Sequence, residues 1–250
     1  MMPTELEQTV GVAGDTTLLD GYSPLPRTYD ELFRGDGSAR AQVAELVAEL
    51  DQLGRLEFMT RQRLAEGALF RGGVTFSVYS DSKGQEKILP FDLIPRVIPA
   101  KDWESIERGL IQRVTALNMF LSDLYDGQRI IKEARIPESM VFGTAGYLKE
   151  LHGIRPREGV FVNIAGIDLI RGADGEFLVL EDNLRTPSGV SYVLENRGVM
   201  KRVFPGVFRR SRVRTVESYP ARLGDALMSV SPRDPGESRV VVLTPGSVSY

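Results

Sequence analysis

Asp168, Glu181 and Asn183 are the residues of this chain whose types and spacing point most directly to chemistry. They lie in the stretch GIDLIRGADGEFLVLEDNLRTPSG, Gly166 to Gly189. There Ile167, Leu169, Leu178 and Leu180 recur at the strand period, and Gly172-Ala173-Asp174-Gly175 carries turn chemistry. A hairpin with Gly172 opposite Gly175 pairs Asp168 with Val179 and Gly166 with Glu181. Residues directly across a strand pair share a face, as do residues two apart. Asp168, Glu181 and Asn183 are therefore expected on one side and the four aliphatic residues on the other. Two carboxylates and an amide oxygen on one face call for a partner, because like charges repel and are costly to bury uncompensated. A hard cation supplies that partner: Mg²⁺ takes oxygen ligands, uses one or two protein carboxylates and fills its remaining positions with water and substrate phosphates. The small Gly166 leaves room for such a ligand. The plainer alternative is a solvated sheet face, the ordinary reading of an isolated Glu-x-Asn.

Asp168, then Glu181 thirteen residues on, then Asn183, on a strand-turn-strand, resembles the metal-binding signature of ATP-grasp ligases. The longer run FLVLEDNLRTPSGVSYVLENR resembles the circularly permuted type 2 ATP-grasp proteins. The resemblance runs from about Tyr29 to the end of the chain and takes in GVTFSVYSD, PFDLIPRVIPA and the helix from Trp103 to Tyr125. It implies that Asp168, Glu181 and Asn183 hold Mg²⁺ on the phosphates of ATP, and that Arg185 and the Ser188-Gly189 turn lie beside the reacting phosphoryl group. Arg185 is then the catalytic candidate. One departure is visible: many ATP-grasp ligases have Arg two residues before the Asp, where this chain has Gly166.

These candidates need a scaffold, and composition bounds it. A chain of 250 residues, 42% hydrophobic and 26% charged, is of ordinary globular type rather than membrane-spanning or disordered. A formal net charge of −3 argues against general nucleic-acid binding. With no cysteine there is no disulfide or thiolate metal site, which fits a reducing cytoplasm, and the single histidine, His152, makes a histidine-based zinc site implausible.

Residues 1–28 show no sustained period and no signal-peptide pattern, and read as a loose tail. Ser38 stands before a helical pattern, Val43, Leu46, Val47 and Leu50, that Gly54 can end, with a second helix from Leu56 to Leu69. VTFSVYS and ILPFDLIPRVIP suggest a small β-layer joined by a polar loop, Ser82 to Gln85. Pro90, Pro95 and Pro99 confine the second stretch to an edge or a shaped loop. Asp92 and Arg96 read as a local ion pair or solvated charges before they read as substrate contacts.

The longest helical pattern runs from Asp102 to Tyr125 through Trp103, Ile106, Leu110, Val114, Leu117, Leu121 and Leu124, and should anchor the core. Arg108 and Arg113 read first as its wet face, though either is able to meet phosphate or an acidic partner. Shorter helices are expected at Gln128 to Ala134 and Glu138 to Val141. GVFVNIAG reads as a strand, preceded by His152, Arg155 and Arg157, and no Ser-His-Asp or Cys-His machinery is visible. Val190 to Val203 is a helix whose start favours anions. A helix from Tyr219 to Val230, the break SPRDPGES and a buried strand, Val240 to Leu243, complete the chain.

The fold expected is therefore α+β, with an antiparallel sheet and packed helices around an ATP-grasp-like metal-binding part. Its expected divisions are the tail at 1–28, a metal- and phosphate-binding part at 29–231, and at 232–250 a linker with the first strand of a second α/β domain. In the permuted order that the resemblance implies, this chain is the N-terminal part of a longer protein. The nucleotide-gripping lysines and lid then lie beyond Tyr250, and the chain alone binds ATP–Mg²⁺ weakly and ligates nothing. The activity implied for the full-length protein is a carboxylate-amine ligase acting through an acyl phosphate. Its substrates are a small-molecule or peptide acid and an amine, and similarity to glutathionylspermidine-synthetase-like proteins brings in a polyamine-type partner. Two rivals share the same residues: an ATP-grasp phosphotransferase, and a non-catalytic nucleotide- or partner-binding assembly protein.

Overall fold

The computed structural model describes residues 17–78, 85–88, 90–185, 187–234 and 236–243. Helices and two antiparallel hairpins make up the fold, as an α+β reading requires. The chain divides into two compact units. The first holds residues up to Val97 with Glu195–Val213, and the second holds Ile98–Leu194 with residues from Arg214 on. The expected tail lies largely outside the described residues, and from Thr17 to Thr28 the backbone is turns and irregular structure.

The first unit is built on α1 (Ala44–Arg71), a 28-residue helix interrupted at Gly54, whose φ of 72° and ψ of 162° are not helical. Only glycine occupies that region comfortably, so the expected break at Gly54 is a kink between two helical segments. Ser38 does not cap this helix. The helix starts six residues later, with Val43 as its N-cap, and Ser38 lies in a tight loop closed by the Phe33–Ala39 bridge. Leu50, Leu69, Leu93, Val43 and Phe204 are the most deeply buried large side chains of this unit. Arg61 donates from Nη1 to the Val203 carbonyl at 2.9 Å, satisfying one of the orphan acceptors at the end of α5 (Val190–Val203), and its guanidinium lies 5.3 Å from the Phe204 ring centre. A short α6 (Pro205–Arg210), which the periodicity does not announce, follows.

The hairpin β1 (Thr75–Val78) and β2 (Gln85–Ile88) pairs Thr75 with Ile88. The second strand thus comes earlier than expected, and the proline-bearing stretch from Pro90 to Pro99 forms no strand, since prolines cannot donate to a ladder. Of the loop expected between these strands, Ser82 to Gly84 lie outside the described residues.

In the second unit α2 (Ala100–Tyr125) buries Ile106, Leu124 and Tyr125, whereas Trp103 remains 38% exposed. The short α3 (Arg129–Lys132) begins where Asp123 accepts hydrogen bonds from the Arg129 and Ile130 amides at 3.1 and 2.9 Å. These bonds hold its carboxyl below the usual carboxylate range, the Ile130 bond most. After α4 (Glu138–Phe142), the rings of Tyr147 and Phe161 stack on Tyr125 at 5.2 and 5.8 Å. GVFVNIAG is not a strand. The Phe161 and Val162 amides donate to Asn118 Oδ1 on α2 at 2.8 and 3.1 Å, so a helix side chain takes the bonds a sheet partner would have made. β3 (Gly166–Arg171) and β4 (Phe177–Asn183) follow, then α5 and, further on, α7 (Tyr219–Ser229). The run Val240 to Leu243, expected as a buried strand, is in no strand, and its side chains are 44–92% exposed. No helix among the described residues is long and apolar enough to cross a membrane.

Candidate functional site

The β3–β4 hairpin places the acidic candidates. Arg171 pairs with Phe177, and the Gly172 amide donates to the Glu176 carbonyl at 2.8 Å, so the loop is closed one residue later than Gly172 opposite Gly175 would close it. Ile170 therefore faces Leu178 and Leu169 faces Val179. A bulge then leaves Leu180 without a partner, after which Asp168 stands directly opposite Glu181 and Gly166 opposite Asn183. The two changes cancel in parity: Asp168, Glu181 and Asn183 share a face, but by a different register from the one expected. Leu178 and Leu180 move to that same face, contrary to expectation, while Ile167, Leu169, Val179 and Phe177 form the half-buried side.

The shared face is open. Asp168, Glu181 and Asn183 are exposed, and beside them Ile170, Leu178 and Leu180 are 45, 51 and 63% exposed. Asn183 donates from Nδ2 to Glu181 Oε1 at 2.9 Å, which fixes the two side chains relative to each other and leaves Asn183 Oδ1 available as an acceptor. Among the described residues no lysine or arginine pairs with Asp168 or Glu181, and no group of three or more His, Cys, Asp or Glu side chains gathers. The donor set is thus two carboxylate groups and one amide oxygen. These are hard oxygen ligands that suit Mg²⁺ and leave positions for water and phosphate.

Beyond Asn183 the chain folds back over its own hairpin. A Cβ on Gly166 would stand 2.8 Å from Pro187 Cβ and 3.6 Å from Asn183 Cβ, so Gly166 is where the Leu184-to-Gly189 loop packs down. The same loop carries Arg185 and Ser188, both exposed, and ends at Gly189, whose carbonyl accepts from the Tyr192 amide at the start of α5. Arg185 forms no ion pair among the described residues. The structure therefore brings the loop residues next to the hairpin without tying Arg185 to it. Gly166→Ala should push Pro187 off β3 and loosen the loop that follows Asn183, because the added Cβ would stand 2.8 Å from Pro187 Cβ. Faster amide hydrogen exchange after Asn183 in protein of unchanged circular dichroism checks this.

Of the ion pairs on the reverse side, the sequence marks only Arg113, as able to meet an acidic partner, and leaves Asp182, Arg171 and Asp102 unmarked. Arg113 of α2 grips Asp182 with two hydrogen bonds, Nε to Oδ1 at 2.7 Å and Nη2 to Oδ2 at 2.6 Å. Arg113 thus meets an acidic partner rather than standing as a solvated face. The bond from Arg113 holds the Asp182 carboxyl below the usual carboxylate range against the upward push of desolvation, and Arg113 is raised by the same bond. At the other end of the hairpin Arg171 donates from Nη2 to Asp102 at 2.9 Å and from Nε to the Gly175 carbonyl at 2.9 Å. The available signal was spacing. Asp102 and Arg113 are eleven residues apart, which puts both on one helix face about 16 Å apart. The matching charges Arg171 and Asp182 are separated by four steps of β3, about 13 Å.

Other expected candidates lie elsewhere. Arg96 pairs with Glu31 at 3.4 Å, Arg155 with Asp126 at 2.7 Å, and Arg157 donates to the Ser231 and Arg233 carbonyls. A cavity of about 310 Å³ in the first unit, lined by residues that include Tyr22, Phe33 and Val47, contains none of the candidate residues.

The chain is similar to several known proteins. An uncharacterised protein of Synechocystis sp. is 46% identical over 91% of this chain and 47% of its own length. An uncharacterised Mycobacterium tuberculosis protein is 44% identical over 87% of this chain and 39% of its own. A Frankia alni protein named "Putative glutamate--cysteine ligase 2-3" is 36% identical over 95% of this chain and 28% of its own. The chain therefore spans less than half the length of each of these relatives. The profile of the circularly permuted ATP-grasp type 2 family matches residues 95–250, which include the whole β3–β4 hairpin, its return loop and α2. The chain belongs to the circularly permuted ATP-grasp type 2 family.

Proposed function

We propose that the full-length protein is an ATP- and Mg²⁺-dependent ligase that joins a carboxylate to an amine through an acyl phosphate. The observation that carries this reading is the open face on which Asp168, Glu181 and Asn183 stand together, flanked by the return loop with Arg185 and Ser188. Asp168, Glu181 and Asn183 Oδ1 hold Mg²⁺. The bound ion supplies charge neutralisation at the phosphate oxygens. Arg185 counters the negative charge that develops on the transferred phosphoryl group, and Ser188 with the Gly189 backbone orients it. The exposed Ile170, Leu178 and Leu180 offer an apolar surface beside the acids, on which a purine ring loses water without leaving polar groups unpaired. The acid's carboxylate oxygen attacks the terminal phosphorus, ADP departs, and the amine displaces phosphate. The name of the Frankia relative supports an amino acid or short peptide as the acid.

Incubating full-length protein with ATP, Mg²⁺ and panels of amino-acid and peptide acids with amines, and identifying products by mass spectrometry, tests this. Amide product with stoichiometric ADP and phosphate is expected. A stable phosphorylated product without amide would make the protein a phosphotransferase, and Mg²⁺-dependent nucleotide binding with no product would make it a binding protein.

A further inference from the structure

The β4 sequence carries two adjacent carboxylates, Glu181 and Asp182, and a third, Asp168, lies across from the first. Strand alternation sends the middle one backwards. There its side chain is only 18% exposed, and Arg113, reaching from α2, takes both of its oxygens. We propose that Arg113 is a positioning residue, which by holding Asp182 behind β4 fixes Glu181 and Asn183 on the opposite face. The inference rests on the metal reading of that face given above.

The bulge makes such a strut necessary. At Leu180 the ladder skips a residue, so the strand segment from Glu181 to Asn183 is held to β3 by the short stretch from Gly166 to Asp168 alone. A bulged strand end twists readily. Two struts of opposite polarity tie the hairpin to α2: Asp102 on the helix holds Arg171 near the turn, and Arg113 on the helix holds Asp182 near the acids. The first prevents the hairpin from sliding along the helix, and the second prevents its outer end from rotating.

The two partners are not equivalent. Arg113 is 43% exposed and long enough to reach water when its partner is removed, whereas a bare Asp182 carboxylate stays mostly covered and unpaired. Losing Arg113 is therefore expected to do more harm than losing the Asp182 charge. The sign of the metal effect is also diagnostic. Removing a positive charge from behind the site would by itself tighten cation binding, so a weaker Mg²⁺ response in Arg113→Gln reports displacement of the ligands.

The test uses full-length protein and two readouts, the Mg²⁺ concentration that half-saturates turnover and the amide hydrogen exchange of residues 181–183. Arg113→Gln should raise the Mg²⁺ requirement roughly ten- to hundredfold, the range typical of residues that orient metal ligands, and should speed exchange at those amides. Arg113→Lys, which offers no fork, should fall between. Asp182→Asn should be milder but still above the parent's requirement, and the double variant Arg113→Gln/Asp182→Asn should match Asp182→Asn, because both lack the grip and neither leaves a bare carboxylate. If Arg113→Gln does not fold, Asp182→Asn carries the test, a raised Mg²⁺ requirement with faster exchange at residues 181–183 supporting the strut. Unchanged Mg²⁺ requirement and exchange in folded Arg113→Gln would overturn it, as would parent-like values in Asp182→Asn and the double variant. Faster exchange in Arg113→Gln together with a Mg²⁺ response indifferent to Glu181→Gln would keep the strut and remove the metal reading.

Discussion

Glu181→Gln in the full-length protein is expected to lower turnover at limiting Mg²⁺ by at least about tenfold while leaving the fold intact. Glutamine keeps the shape of the side chain and the oxygen that Asn183 Nδ2 reaches at 2.9 Å, so the local geometry survives. What disappears is one of two exposed negative charges opposite each other on the hairpin. A cation held by two carboxylates and an amide loses much of its attraction when one carboxylate becomes neutral. Raising Mg²⁺ should restore part of the activity, a response that a folding defect would not give. Turnover with the same Mg²⁺ dependence as the parent protein would rule out contact between Glu181 and the metal.

The largest effect on stability is expected from Phe204→Ala. Phe204 is 1% exposed, belongs to the first unit, and carries the Arg61 guanidinium over its ring. Deleting it leaves a cavity that rigid neighbours fill only in part, at a cost of about 3–5 kcal/mol. That is a large share of the stability of an ordinary domain. A denaturant titration followed by circular dichroism should show a clear fall in midpoint, against no change for Glu181→Gln. A midpoint unchanged by Phe204→Ala would mean that the unit does not depend on this packing.

The contrast between these two substitutions reflects what was legible beforehand. The acidic trio, the hairpin, α2 and α5 were readable because each is written as a local period or a short motif; Glu181 and Asn183 share a face by alternation, and Asp168 joins them because two register changes cancel. The register was not readable. It depends on how many residues close the turn and on whether the ladder skips one, and the loop at Gly172 and the bulge at Leu180 each shift it. Leu178 and Leu180 went to the wrong side for that reason. Val160 to Gly166 has the β-branched and aromatic content of a strand, but Asn118, more than forty residues earlier, claims two of its amides and Tyr125 claims its phenylalanine. Arg113 and Asp182 are 69 residues apart, and a charge on a helix face carries no mark of the partner it will meet.

Gly54 gives the first unit a property of a different kind. The angle between the two segments of α1 passes through one backbone conformation that other residues adopt only under strain. Any side chain at this position would put a strained residue at the bend, so replacing Gly54 is expected to cost more than replacing its helical neighbours.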